Sequence, residues 1–294
     1  PVQYVNGRIW VNNHAHVLQA KKEIADNKFL KYVISQTNIE PYLVGGGRAK
    51  LNADTMMRIF IIAPENLEEQ KQLGTLFQRL DNLTTLHQRK LLKLKNIEKA
   101  MLEKMFPKNG SNVPEIRFGG FTDAWEQRKL GNLTQIKTGS SDLQDSVEDG
   151  QYPFFVRSEN IERSNRYIFD GEAILIPGEG RLGDIYHYIN GKFDFHQRVY
   201  KISGFEDSNT DGKYILYYMQ KNFKQHAMRF TVKETIDYIR LPMLTEFNVV
   251  VPKIEEQRKI SNLFANLDSL ITLHQRKYEK LQNLKKACLQ KMFV

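Results

Sequence analysis

A stretch of about forty residues occurs twice in this chain, and that repetition constrains the fold more than any bulk property does. Glu68-Glu69-Gln70 returns as Glu255-Glu256-Gln257, and Thr85-Leu86-His87-Gln88-Arg89-Lys90 returns unchanged as Thr272-Leu273-His274-Gln275-Arg276-Lys277. Phe77 with Phe264, Asp81 with Asp268, and Lys104-Met105-Phe106 with Lys291-Met292-Phe293 keep the same offset of 187 residues. Upstream, Asn6-Gly7-Arg8-Ile9 is echoed by Asn190-Gly191-Lys192-Phe193 at a slightly different offset, as short insertions or deletions produce. The chain therefore reads as domain, helix, domain, helix.

Within each copy the apolar residues step by three and four, the spacing of one helix face. In the first copy the seam reads Leu73, Leu76, Leu80 and Leu83, then a polar break at His87 and Lys90, then Leu94, Ile97 and Met101. The second reads Ile260, Leu263, Leu267 and Leu270, the same break at His274 and Lys277, then Leu281, Leu284 and Cys288. One such heptad pattern is an ordinary core helix, but two with a shared polar break predict a coiled coil in which the histidines set register. Asn66 with Glu69 has the form of a capping box, Glu255 and Glu256 place negative charge at the positive end of the second helix, and Phe106-Pro107 ends the first. Each helix would be about 60 Å long. Because a domain precedes each, antiparallel pairing would set the two domains at opposite ends of a rod.

The expected boundaries are residues 1–64 for the C-terminal part of a first domain, 65–107 for the first helix, 108–127 for a linker, 128–251 for a complete second domain and 252–294 for the second helix. The short first domain, and a start at Pro1 directly into the strand-like Val2–Val5, suggest that the N-terminal half of that domain is absent. The second domain reads as α+β. Ala173–Pro177 has the composition of a buried strand, Asn190-Gly191 predicts a two-residue hairpin turn, Lys213–Phe223 a helix and Phe247–Val251 a closing strand. Gly178-Glu179-Gly180-Arg181-Leu182-Gly183 matches a dinucleotide fingerprint, but a strand rather than a helix follows it, so a tight loop is expected instead. His14-x-His16 lacks the accompanying carboxylates or thiolates of a metal site. No nucleophile elbow, phosphate loop, zinc-protease or amino-methyltransferase motif is present, so no catalytic residue is assigned.

Lys and Arg outnumber Asp and Glu by 43 to 34, a net charge of +9 that favours a polyanionic partner through counterion release. No apolar run is long enough for a membrane span and Cys288 is the single cysteine, a pattern that fits a reducing cytoplasm. The candidate DNA contacts are Asn12, Asn13, His14, Arg48 and Lys50 in the first domain, and Arg157, Ser158, Asn160, Arg163, Arg181, His196, Gln197, Arg198, Lys224, Arg229 and Lys233 in the second. Arg pairs with guanine, Asn and Gln with adenine, and Lys and Ser with phosphates.

The stretch Ile116-Arg117-Phe118 through Phe121-Thr122-Asp123-Ala124-Trp125-Glu126, the run Ile176-Pro177-Gly178-Glu179-Gly180, the run Gly191-Lys192-Phe193-Asp194-Phe195-His196-Gln197-Arg198 and the repeated helix starts resemble the specificity subunit of type I restriction-modification systems. The resemblance implies two target-recognition domains of α/β build, the first partial here, separated by two long helices pairing as an antiparallel coiled coil. Each domain would read half of a bipartite site in double-stranded DNA. It implies two methyltransferase subunits binding S-adenosylmethionine, and restriction motor-nuclease subunits using ATP and Mg, with no cofactor on this chain. Three rivals stand beside it: a non-catalytic coiled-coil scaffold, a silent specificity cassette, and a nuclease using Glu179, Asp184 or Asp194 as metal ligands.

Overall fold

A computed structural model describes residues 2–293 apart from 13–14, 46–49, 109–110 and 231–237. It divides into two compact units, one of residues 1–93 with 270–294 and the other of residues 94–269. Two 39-residue helices, α3 (Leu67–Met105) and α7 (Ile254–Met292), each contribute to both. Each begins with two glutamates and ends with a lysine in its last turn, matching the helix dipole. Asn66 Oδ1 accepts from Glu68 N at 2.8 Å and supplies the N-cap of α3.

In the first unit α1 (Asn27–Gln36) starts at Asp26, whose carboxylate accepts from the N–H groups of Lys28 and Phe29. It buries Phe29, Tyr32 and Val33. Tyr32 forms a core with Phe77 and Leu80 of α3, and Leu281, Cys288, Leu289 and Phe293 pack against it from α7 and its end. Gln70, 2% exposed, accepts from Asp26 N at 3.1 Å and donates to Pro64 O at 2.8 Å. The single-turn α2 (Ala53–Met56) lies between α1 and α3 in sequence.

The second unit repeats this joint. It contains β1 (Glu126–Lys129), α4 (Leu130–Leu133), β2 (Gln135–Thr138), β3 (Tyr152–Phe155), β4 (Ile161–Ser164), β5 (Phe169–Pro177), β6 (His187–Phe195), β7 (Val199–Ser203), α5 (Gly212–Ala227), α6 (Leu241–Thr245) and β8 (Asn248–Val251). Asp211 caps α5, and Gln257 of α7 accepts from Asp211 N at 2.9 Å and donates to Pro252 O at 2.8 Å, as Gln70 does in the first unit. Tyr217 donates to Asp268 at 2.5 Å, as Tyr32 donates to Asp81 at 2.7 Å. Phe106, ending α3, stacks on Phe264, and Phe293 meets Phe77. The repeat in the letters is thus a repeat of one helix-to-domain joint.

The strands form a six-stranded sheet in the order β2-β7-β5-β6-β3-β4, antiparallel except where β3 meets β6, and a separate β1-β8 pair. Ile174, Ile176 and Ile202 share a core with α5 and α7, while Ala173, Leu175, Phe193 and Phe195 cluster with Phe155 and Val199. Burial on both faces explains why Ala173–Pro177 is continuously apolar. Arg117 grips the buried Glu256 with two bonds of 2.7 and 2.8 Å, fixing the segment before β1 to the first turn of α7.

Two strand expectations need correction. Asn190-Gly191 is no hairpin turn: β6 runs straight through it, paired with β5, with Gly191 at φ 144° opposite Gly171 at φ 143°. Both glycines adopt backbone that side chains disfavour, so the pair marks an irregular step within the ladder. The counterpart of β6 in the first copy, residues 3–11, is assigned to no strand among the described residues, and neither is Val2–Val5. A strand exists only beside another, and β6 has β5 and β3 as neighbours.

The seam also shifts. Leu76, Leu83, Leu270 and Leu284 are exposed, from 39% for Leu76 to 47% for Leu284, and lie off the contact face. The buried and half-buried steps are Phe77, Leu80, Thr84, His87, Leu91, Leu94, Glu98 and Met101 in α3, and Phe264, Leu267, Ile271, His274, Tyr278, Leu281, Lys285 and Cys288 in α7. Ile97 and Leu263 flank this face, half-buried against the second unit's core. The 3.5-residue stripe passes through polar positions that a count of leucines skips. Asp81 bonding Lys285 and His87 meeting His274 make the helices antiparallel in the first unit, and Glu98 facing Asp268 together with the Phe106–Phe264 stack does so in the second.

Candidate nucleic-acid interface

Asn13, His14, Arg48 and Lys233 lie outside the described residues. Of the other first-unit candidates, Asn12 accepts from Ala15 N through its carbonyl, and the Lys50 backbone pairs with Val44. His16 makes a 2.8 Å bond to Leu51 O.

In the second unit the glycine-rich loop after β5 is held against the turn before β7. Gly178 N donates to Arg198 O at 2.8 Å, and a Cβ at Gly178 would stand 2.9 Å from that same oxygen. Gly183, at φ 65°, lies so close to α5 that a Cβ would be 3.0 Å from Lys224 Cα. These glycines serve close backbone approach. The loop brings together Arg157, Arg181, Arg198 and Lys224, which are far apart in sequence, each with a carboxylate. Arg157 and Arg198 both bond Glu179, Arg181 bonds Glu159 at 2.6 Å, and Lys224 bonds Asp184 at 2.7 Å. Burial alone would raise the Glu179 carboxyl, but hydrogen bonds from Arg198 and Arg157 hold it below the usual range.

His196 alone of the other candidates is buried, while the rest stay exposed and several are tied to local partners. His196 is 2% exposed, accepts from Arg198 N and bonds Asp142 at 3.2 Å, so it shapes the turn. Gln197 shares Asp142 at 3.1 Å. Arg163 spends its guanidinium on Gly150 O and Gln151 O, tying β4 to the loop before β3. Ser158 and Asn160 bond each other locally, and Arg229 lines a cleft with Asn222, His226 and Gln127. The carboxylates of the nuclease rival are engaged. Asp194 is fully buried and accepts from Ser141 at 2.5 Å, Ser164 at 3.1 Å and Arg166 at 3.3 Å, and no metal-ligand cluster occurs among the described residues.

Lys201 was not singled out in the sequence. It is buried on β7 with its ammonium 3.4 Å from the Phe169 ring centroid and 2.7 Å from Ser203 Oγ, and burial pushes it down to about 8. Strand alternation placed an inward residue there, but nothing in the letters marks a buried lysine.

A family model for the type I restriction modification DNA specificity domain matches residues 1–96 and 122–283. The chain belongs to the type I restriction-modification DNA specificity family. Within this specificity family the EcoDI subunit of Escherichia coli is 32% identical over 149 residues, covering 49% of this chain and 32% of that subunit. The MjaVIII specificity subunit of Methanocaldococcus jannaschii is 22% identical over 299 residues, covering 92% of the chain and 70% of that subunit. The chain thus matches about a third of the first relative's length and most of the second's. The type I restriction-modification S subunit of M. genitalium superposes with a TM-score of 0.72 at 16% identity, over 94% of this chain and 74% of that one. The HsdS subunit from Thermoanaerobacter tengcongensis gives 0.52 at 19% identity, over 94% and 72%. At these identities the solved structures establish shared fold, an α+β architecture with long paired helices. No helix among the described residues is long and apolar enough to cross a membrane.

Proposed function

We propose that this chain is the DNA-reading part of a type I specificity subunit. The second unit's domain reads one half of a bipartite duplex target, the first unit's domain contributes to the other half, and the paired helices fix the gap between them. The observation that carries this reading is the twice-built joint, in which Gln70 and Gln257 each lock a domain to the start of a long helix through matching bonds to a helix-capping aspartate N–H and a proline carbonyl. A rigid joint repeated on antiparallel helices turns spacing into specificity, since successive faces of B-DNA recur about every 34 Å. The chain itself performs no chemistry. Two methyltransferase subunits carrying S-adenosylmethionine dock on it, and restriction motor-nuclease subunits using ATP and Mg join them. A solved neighbour described in terms of complex assembly of the type I system supports the partner assignment.

The test is duplex binding and methylation by the subunit carrying this chain, reconstituted with its methyltransferase. A single bipartite methylated motif, with motif duplex bound at least about a thousandfold more tightly than scrambled duplex, is expected. Equal affinity for both duplexes would refute DNA reading and leave a protein scaffold.

A further inference from the structure

We propose that Arg157 and Arg198, held on the shared carboxylate of Glu179, form a guanine-reading pair, with Glu179 as the positioning residue that sets their geometry. The inference rests on the DNA-reading assignment above and deepens it. The two guanidiniums come from different segments, Arg157 from the loop after β3 and Arg198 from the turn before β7, and converge on Glu179 through their Nη1 atoms. The Glu179 side chain is only 16% exposed, whereas those of Arg157 and Arg198 are 46% and 54% exposed. The carboxylate is therefore half-buried beneath two more exposed cations. Its loop is fixed by Gly178 N to Arg198 O, by Ile239 N to Gly178 O at 2.8 Å, and by the bridge from Glu179 to Tyr238. Among the described residues neither guanidinium has another acceptor, which leaves free donors on both.

An arginine already ordered by a carboxylate loses less rotamer freedom when it binds. The neighbouring negative charge also selects the ligand. It weakens attraction for a fully charged phosphate but does not repel the neutral edge of a base. In the major groove guanine alone offers two adjacent acceptors, N7 and O6, matched to an arginine fork. Arg181 with Glu159 differs, because both side chains there are about two-thirds exposed and water competes for the pair.

The experiment uses the subunit in its complete methyltransferase complex and the duplex defined by its methylated motif. Each guanine is replaced singly by 7-deazaguanine, which removes the N7 acceptor but keeps base pairing. The wild-type complex should lose about fivefold or more in affinity at one or two guanines, all in one half-site. R157A or R198A should bind the normal and substituted duplexes equally at those positions, and E179Q should keep binding but lose part of that discrimination. Absence of any sensitive guanine in the wild-type scan, which needs no variant to fold, overturns the proposal. So does full wild-type sensitivity in both R157A and R198A. A wild-type complex that fails to prefer the motif duplex over a scrambled one overturns the DNA-reading assignment itself, and so is distinguishable.

Discussion

Position 98 of α3 and position 285 of α7 occupy equivalent steps of the two copies but carry opposite charge. In the first unit Lys285 and Lys31 bond Asp81, and these bonds with that of Tyr32 hold the Asp81 carboxyl below its usual range despite burial. In the second unit Glu98 faces Asp268, with Tyr217 of α5 and Lys95 around them, and burial followed by the bond to Asp268 pushes Glu98 up to about 7. A carboxyl whose pKa is raised by folding costs nothing below its unfolded value, near 4.5. The cost grows as pH rises and is complete above about 7. E98K, which copies Lys285, is therefore expected to stabilise the unit by about 1–2 kcal/mol at pH 8, a figure discounted for partial solvation, and by little at pH 4. Urea unfolding at the two pH values checks this, and equal effects at both would contradict the raised Glu98 carboxyl. The repeat was legible at this scale, but the unequal partners of two equal aspartates were not, because side-chain proximity across helices is absent from linear spacing.

The long helices were legible as elements because periodicity and end charges are local properties. Which stripe they bury was not. A leucine count adds Leu76 and Leu83 to Leu80 and His87, whereas the contact face keeps the latter two and runs through Phe77 and Thr84, and His87 and His274 meet at 2.8 Å between Nδ1 atoms. Only one proton can lie between those nitrogens, and burial, followed by His274 and the nearby lysines Lys277 and Lys90, lowers the His87 pKa. Leu80→Ala should cost about 2–4 kcal/mol as a core truncation, and Leu76→Ala no more than about 0.5 kcal/mol, both read from denaturant midpoints. Similar losses at the two sites would restore the leucine seam. Lengthening both helices by one turn should widen the gap in the methylated motif and leave its halves unchanged. Methylome sequencing that shows altered half-sites instead would remove the spacer role.

For the whole molecule, the net charge of +9 supports polyanion binding, yet the cations brought together around the glycine-rich loop are matched with carboxylates. Affinity for the motif duplex should still fall at least about tenfold between roughly 50 and 200 mM salt, and binding indifferent to salt would remove the phosphate contacts. By itself the sequence determined the duplication, the two helices, the α+β character of the second domain and the family, because repeats, periodicity and local motifs are written along one dimension. Only the tertiary structure decided that β6 runs through Asn190-Gly191, that His196 is buried, that Arg163 bonds backbone carbonyls, and that Arg157 and Arg198 share one carboxylate. Each of these depends on which distant segment fills the space beside a residue. Burial, hydrogen-bond partners and charge pairing are set by that neighbour, and spacing along the chain does not encode it.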